Sequence, residues 1–229
     1  GGNIGNVPLE FLDQLKGDSI VVLELSSFQL QDLKKSPHYA VILNTTVDHL
    51  DYHADKDEYL QAKEQLLTHQ HKDNVVVLNK DYEYSKYYAP LVKGELLWIS
   101  RSEKIRDGAY VHEGGIFYAE AKAGGADKSS PERIAGVAEM ALVGSHNLEN
   151  ILPAVVIAKK LGVKTAAIAE VIRTFKNLPY RLQFVRELNG IKFYNDSYST
   201  TPETSMAAVD SFDEPTVLIA GGYDKGLSY

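Results

Sequence analysis

Short runs that are apolar on both faces alternate along this chain with stretches of helical periodicity, and no other feature constrains the fold as tightly. The runs cover residues 20–25, 40–44, 74–79, 95–100, 141–144, 191–195 and 216–220. Helical patterns occupy 8–16, 55–69, 148–161 and 166–175. A strand that hides both faces needs a sheet with helices over it. The expected fold class is therefore α/β, a central, mostly parallel sheet flanked by helices. Residues 110–120 differ: Gly114-Gly115 between two β-rich triplets predicts a hairpin. Residues 121–131, rich in Gly, Ala, Lys and Ser, predict an exposed loop. A helix end followed by Pro179 predicts a unit boundary, giving 1–177 and 178–229.

Composition removes several functions. Lys and Arg number 24 against 31 Asp and Glu, a net charge of −7. A binder of nucleic acid or of an anionic membrane is normally basic, so neither partner is expected. No apolar run is long enough to cross a bilayer. There is no cysteine, which excludes disulfides, zinc–thiolate sites and a thiol nucleophile and fits a cytoplasmic location. The chain opens Gly1-Gly2-Asn3, without an initiator Met or a signal peptide, as a piece of something longer would.

Ligands of open α/β sheets sit beyond the carboxyl ends of the strands. Five of the runs end in polar groups: Glu24 with Ser26 and Gln29; Asn44 to Asp51; Gly144 to Asn147; Asn195-Asp196-Ser197; and Gly221 to Lys225. One such end is ordinary turn chemistry, but five suggest a shared site. Glu24, at the end of an Ile/Val/Leu run, either takes a cation, a metal or N–H donors, or points to water. His49 lies near Asp48, Asp51 and His53. A His49–His53 pair is the weaker reading, because 51–54 reads as a loop. His49 serving one hard cation beside carboxylates is the stronger. Gly221 to Gly226 lacks the G-x4-G-K-[ST] spacing, and no Gly-Lys dipeptide occurs in the chain.

Lys63 is the most informative residue. The helix at 55–69 opens with Asp55-x-x-Glu58, a capping-box-like start. Its apolar stripe runs Tyr59, Ala62, Lys63, Leu66, which places a lysine among buried positions, one turn from Tyr59. Either the stem is buried and the ammonium reaches water, or the lysine acts as a ligand or is modified. Asn147 opens the helix at 148–161, where a polar residue caps the helix or touches a ligand. Pro153, beyond the first turn, predicts a later start or a kink.

In order along the chain stand Gly2-Asn3-Ile4-Gly5, Glu24-Leu25-Ser26-Ser27-Phe28-Gln29-Leu30, Asn44-x-x-x-Asp48-His49-Leu50-Asp51, Lys63, Gly144-x-His146-Asn147-x-x-Asn150, Leu178-Pro179-x-Arg181, Asn195-Asp196-Ser197 and Gly221-Gly222. Together they resemble the Mur ligase family. The resemblance implies most of a central ATP-binding domain over 1–177, from just after its P-loop, then the first part of a Rossmann-like C-terminal domain over 178–229. It implies an ATP-dependent amide ligase acting through an acyl phosphate in peptidoglycan precursor synthesis. The Ser-Ser-Phe-Gln string points to members whose small-molecule substrates are UDP-N-acetylmuramoyl-L-alanine and D-glutamate. The cofactors implied are ATP and two Mg2+ ions, with Mn2+ able to substitute. Glu24 would bind one ion, and His49 with a carbamylated Lys63 the other; these three form the catalytic set. Asn3, Ser26, Gln29, Tyr59, Thr200 and Lys225 would contact substrate, with Lys225 on the D-glutamate side. Asn147, Arg181 and Asp196 would hold adenine, phosphate and ribose. The family commonly carries Lys in Asn-Asp-Ser-x-Ala-Thr, where this chain has Tyr198 and Ser199, leaving Thr200 for that contact. A monomer is expected, and this stretch alone is expected to be inactive. The competing readings are a sister Mur ligase, a folylpolyglutamate synthase-like ligase, and a non-catalytic nucleotide-binding module.

Overall fold

A computed structural model describes residues 1–3, 5, 7–45, 53–121 and 130–222. In chain order the elements are α1 (Ser27–Leu30), β1 (Tyr39–Ile42), α2 (Lys56–Thr68), β2 (Val75–Asn79), α3 (Tyr84–Tyr88), β3 (Glu95–Ser100), β4 (Gly108–His112), β5 (Gly115–Ala119), β6 (Glu132–Gly136), α4 (Leu148–Lys160), α5 (Thr165–Thr174), β7 (Gln183–Leu188), β8 (Ile191–Asn195) and α6 (Pro202–Val209). Strands β1 to β6 form one sheet in sequence order, and β7 and β8 a separate pair. The pairs β1–β2 and β3–β4 are parallel, while β4–β5 and β5–β6 are antiparallel. By internal contacts the chain divides into two units, Gly1–Leu78 with Tyr82–Leu96, and Asn79–Asp81 with Leu97–Tyr229.

In the first unit every residue of β2 is buried, as a run of Val75-Val76-Val77-Leu78 requires of a parallel strand. The expected start of α2 is present. Asp55 Oδ1 accepts from the Glu58 N–H at 2.9 Å, and Glu58 Oε2 accepts from the Ala54 N–H at 2.6 Å. Tyr59, Leu60, Ala62 and Leu67 supply its buried side, and Lys63 is half-buried. Residues 8–14 form a 3-10 helix with no buried side chain.

In the second unit the expected hairpin is β4–β5. Its turn is Glu113-Gly114, both at positive φ, the two-residue geometry that suits the twist of the flanking strands. Trp98 and Phe117 pack against buried Ile105, Tyr110 and Ala119. Helix α4 packs on β4 and β5, and α5 on β6. It starts at Leu148 after a 3-10 turn over Ser145–Asn147 and runs through Pro153 without interruption. The ring forfeits one N–H, the partner of the Glu149 carbonyl one turn earlier.

Three expected strands are absent. Residues 20–25 make only an isolated parallel bridge, Gly2 to Glu24, and Ile20 and Val22 are 67% and 77% exposed. Residues 216–220 are irregular, with Val217 and Ile219 89% and 94% exposed, and 141–144 form bends. Each run has the composition of a buried strand but no ladder partner among the described residues. Conversely, Glu132–Gly136 is a strand that was not among those expected. The five runs therefore do not all end strands. Among those five segments, only β1 and β8 end strands, and they belong to different sheets.

Candidate functional site

The first unit brings Asn3 to Glu24. The Asn3 N–H donates to the Glu24 carbonyl at 2.7 Å, and Asn3 Nδ2 to Glu24 Oε1 at 3.3 Å. The Glu24 N–H donates to the Gly1 carbonyl at 3.1 Å. This close approach depends on Gly2. Its φ is +105°, and a Cβ there would lie 2.3 Å from the Glu24 carbonyl oxygen. Glu24 is exposed, with its carboxylate oriented by an amide.

Ser26 caps α1. Gln29 Oε1 accepts from both its N–H and its hydroxyl, each at 3.0 Å. Ser27 is buried and its hydroxyl meets buried His53 Nε2 at 2.8 Å. The His53 ring sits edge-on to Tyr59, with centroids 5.5 Å apart, and Lys63 Nζ stands 4.9 Å from the Tyr59 centroid. Ser27, His53, Tyr59 and Lys63 thus form one line from the Ser-Ser turn to α2. The helical stacking of Tyr59 and Lys63 is as expected. His53 stands in the bend before α2, the loop expected there, and is buried. His49, with Asp48 and Asp51, lies outside the described residues, as does Lys225.

Among the described residues, no group of three His, Asp or Glu is placed to hold a metal ion. The exposed, amide-oriented Glu24 carboxylate fits as one oxygen donor to a hard cation that keeps waters and phosphates as its other ligands. Lys63 as an ammonium does not fit, because it is itself a cation resting on an aromatic face. Only addition of CO2 to its amine would give it an anionic oxygen.

The second unit positions Asn147 on the turn before α4. Asn147 Nδ2 donates to the Val143 carbonyl at 2.7 Å and lies 3.3 Å from His146 Nε2, while Oδ1 accepts from Asn150 Nδ2 at 3.2 Å. Gly144 permits the turn. Its φ is +93°, and a Cβ would meet Ser211 Oγ at 2.3 Å. His146 Nδ1 reaches Ser211 Oγ at 3.5 Å. Burial is the main cause that holds the His146 imidazole below the ordinary histidine value. Asp196 and Glu149 pull it up, and Arg101 pushes it further down.

Arg181 is exposed, between Tyr180 and Leu182, both at positive φ. The strain is held by Asn177 Nδ2, which donates to the Arg181 and Leu182 carbonyls at 2.8 and 3.1 Å. Asp196 adds to it, accepting from the Leu182 N–H at 2.8 Å and also from the Ser199 hydroxyl. The Arg181 guanidinium lies 5.7 Å from the Tyr198 ring centroid, a cation–π contact. Thr200 is exposed.

The order of motifs, the mostly parallel sheet and these two clusters define a Mur ligase scaffold, and the chain belongs to the Mur ligase family: residues 3–158 match its middle-domain model. Over its whole length it is 39% identical to the UDP-N-acetylmuramoylalanine–D-glutamate ligase of Acidobacterium capsulatum, covering 49% of that protein. It is 38% identical to the ligase of the same name from Bacillus pumilus, covering 48%. The chain thus spans about half the length of the curated relatives it matches. Among solved structures, the MurF ligase of Thermotoga maritima in complex with ADP superposes with a TM-score of 0.63 at 20% identity, over 92% of this chain and 50% of that one.

Proposed function

We propose that this chain is the ATP-handling part of a ligase that joins D-glutamate to UDP-N-acetylmuramoyl-L-alanine. Residues 1–177 belong to its ATP-binding domain and 178–229 open its C-terminal domain. The protein works as a cytoplasmic monomer. The observation that carries the reading is the Asn3–Glu24 pairing, which brings two family motifs from distant sequence together as an exposed, oriented carboxylate. The names of the relatives support the choice of substrates.

In this reading the substrate carboxylate attacks the γ-phosphorus of ATP, giving an acyl phosphate and ADP. The amine of D-glutamate then attacks the acyl carbon, phosphate leaves with the bond pair, and the amine loses a proton. Two Mg2+ ions, replaceable by Mn2+, supply charge neutralisation on the phosphates. Glu24 would hold one. His49 and Lys63, as its carbamate, would hold the other. The family resemblance assigns substrate contacts to Asn3, Ser26, Gln29, Tyr59 and Thr200, and the D-glutamate side to Lys225. Asn147, Arg181 and Asp196 take adenine, phosphate and ribose.

The test is ADP release by the full-length protein with ATP, Mg2+ and UDP-N-acetylmuramoyl-L-alanine, with D-glutamate compared against other amino acids. Release dependent on D-glutamate is expected. Dependence on a different amino acid would assign a sister ligase. Nucleotide binding without turnover would leave a non-catalytic module.

A further inference from the structure

Arg101 follows β3 in a Ser-Arg-Ser sequence that matches no motif, yet its side chain spans the turn that carries Asn147. Arg101 Nη1 donates to the Ser145 carbonyl at 3.1 Å, and Nη2 pairs with Glu149 Oε1 at 2.8 Å. Ser145 opens the 3-10 turn, and Glu149 lies in the first turn of α4. One rigid fork therefore grips the backbone two residues before Asn147 and a carboxylate two residues after it. Glu149 is 13% exposed at the side chain and Arg101 35%, so the pair is only partly screened by water.

The base of the fork is itself fixed. Asp81 accepts from Ser100 Oγ at 2.6 Å, from Ser102 Oγ at 2.5 Å and from the Arg101 N–H at 2.7 Å. Burial raises the Asp81 carboxyl, but these hydrogen bonds outweigh it and hold the group below the usual carboxylate range. Ser100 is fully buried, and its hydroxyl oxygen accepts from the Ser102 and Glu103 N–H groups at 3.0 and 2.9 Å. The main chain at Arg101 is therefore tied to Asp81 on one side, while the guanidinium ties the start of α4 on the other.

We infer that Arg101, anchored by Asp81, is a positioning residue for nucleotide binding that sets the Ser145–Asn147 turn so that the Asn147 amide meets the base. This rests on the reading of Asn147 as an adenine contact. A lysine keeps the charge but, as a point donor, does not reproduce a fork aimed at two acceptors four residues apart.

The experiment is a double-mutant cycle in the full-length protein, with ADP–Mg2+ affinity measured by calorimetry and thermal stability beside it. Arg101→Ala should weaken ADP about tenfold and Arg101→Lys by an intermediate factor, as a charge-assisted bond acting at one remove implies. In an Asn147→Ala background, Arg101→Ala should cost less than about twofold more, because its effect passes through Asn147. Fully additive losses, or wild-type affinity in both Arg101 variants, would overturn the inference and leave Asn147 as a nucleotide contact. Absence of ADP binding by the unmutated protein, or an Asn147→Ala variant with unchanged affinity, would overturn the adenine reading and the inference with it. Should Arg101→Ala fail to fold, the same cycle with Arg101→Lys gives the decision.

Discussion

The side-chain amide of Asn3 donates to the carboxylate of Glu24 while the main chains of the same two residues are hydrogen-bonded, so the carboxylate is aimed by a residue 21 positions away. Main-chain pairing fixes the distance, and the amide fixes the direction.

Both residues are exposed, so their loss should cost function and not folding. In the full-length protein, Glu24→Gln should lower turnover by about a hundredfold or more, with stability changed by less than about 0.5 kcal/mol. Asn3→Ala should lose about tenfold and raise the Mg2+ concentration needed for half-maximal rate. Parallel loss of turnover and melting temperature, with no response to metal, would make the pair structural.

Lys63 separates two chemistries on one atom. If it works as a carbamate, Lys63→Ala should abolish most turnover, and added short carboxylates should restore part of it. Mass spectrometry in bicarbonate should find the extra CO2 on the native protein. If the ammonium over Tyr59 is the working form, Lys63→Arg should be nearly as active as wild type and carboxylates should do nothing.

His146 gives a pH signature. Its folded value lies below the ordinary 6.5, chiefly through burial, so the unfolded chain takes up the proton more readily. The neutral imidazole therefore contributes stability that is complete above 6.5 and is lost as pH falls through the lower folded value. Melting temperature should rise with pH up to the ordinary histidine value and level off above it, and His146→Gln should flatten that rise. An unchanged slope in the variant would remove His146 from the account.

Asp196, proposed above as the ribose contact, also serves the protein's own main chain. Asp196→Ala strands the Leu182 N–H and the Ser199 hydroxyl and should cost about 1–3 kcal/mol of stability. Asp196→Asn keeps an acceptor for Leu182 and should recover most of that loss while nucleotide affinity stays reduced. Recovery of both together would mean the carboxylate serves only the Arg181 loop.

Much of this was readable from local signals. Asp55 and Glu58 announce the start of α2, the Val75 to Leu78 run announces a buried strand, and the spacing of Tyr59 and Lys63 announces their contact. The misreadings at 20–25 and 216–220 have one cause. Apolar composition reports that a segment favours burial, but it does not say which backbone will pair with it. Asn189-Gly190, both at positive φ, is a strong hairpin signal that locates β7 before β8. Asn3 and Glu24 were legible as polar residues beside glycine and apolar runs, but their pairing is a long-range fact. Arg101 carried no signal at all, since both partners of its guanidinium are 44 or more residues away.

The two-residue turn at Glu113-Gly114 bears on the order in which the molecule assembles. Closing it costs little chain entropy, so β4 and β5 can zip on the microsecond scale. Tyr39 can face Val75 only after the long connection through α2 has been drawn together. The sole tryptophan, Trp98, packs against the β4–β5 cluster. During refolding, then, tryptophan fluorescence should reach its native value before the amides of Val41 and Ile42 gain protection from pulsed deuterium labelling. Simultaneous arrival would mean that the sheet condenses as a single cooperative nucleus, with no local hairpin leading it.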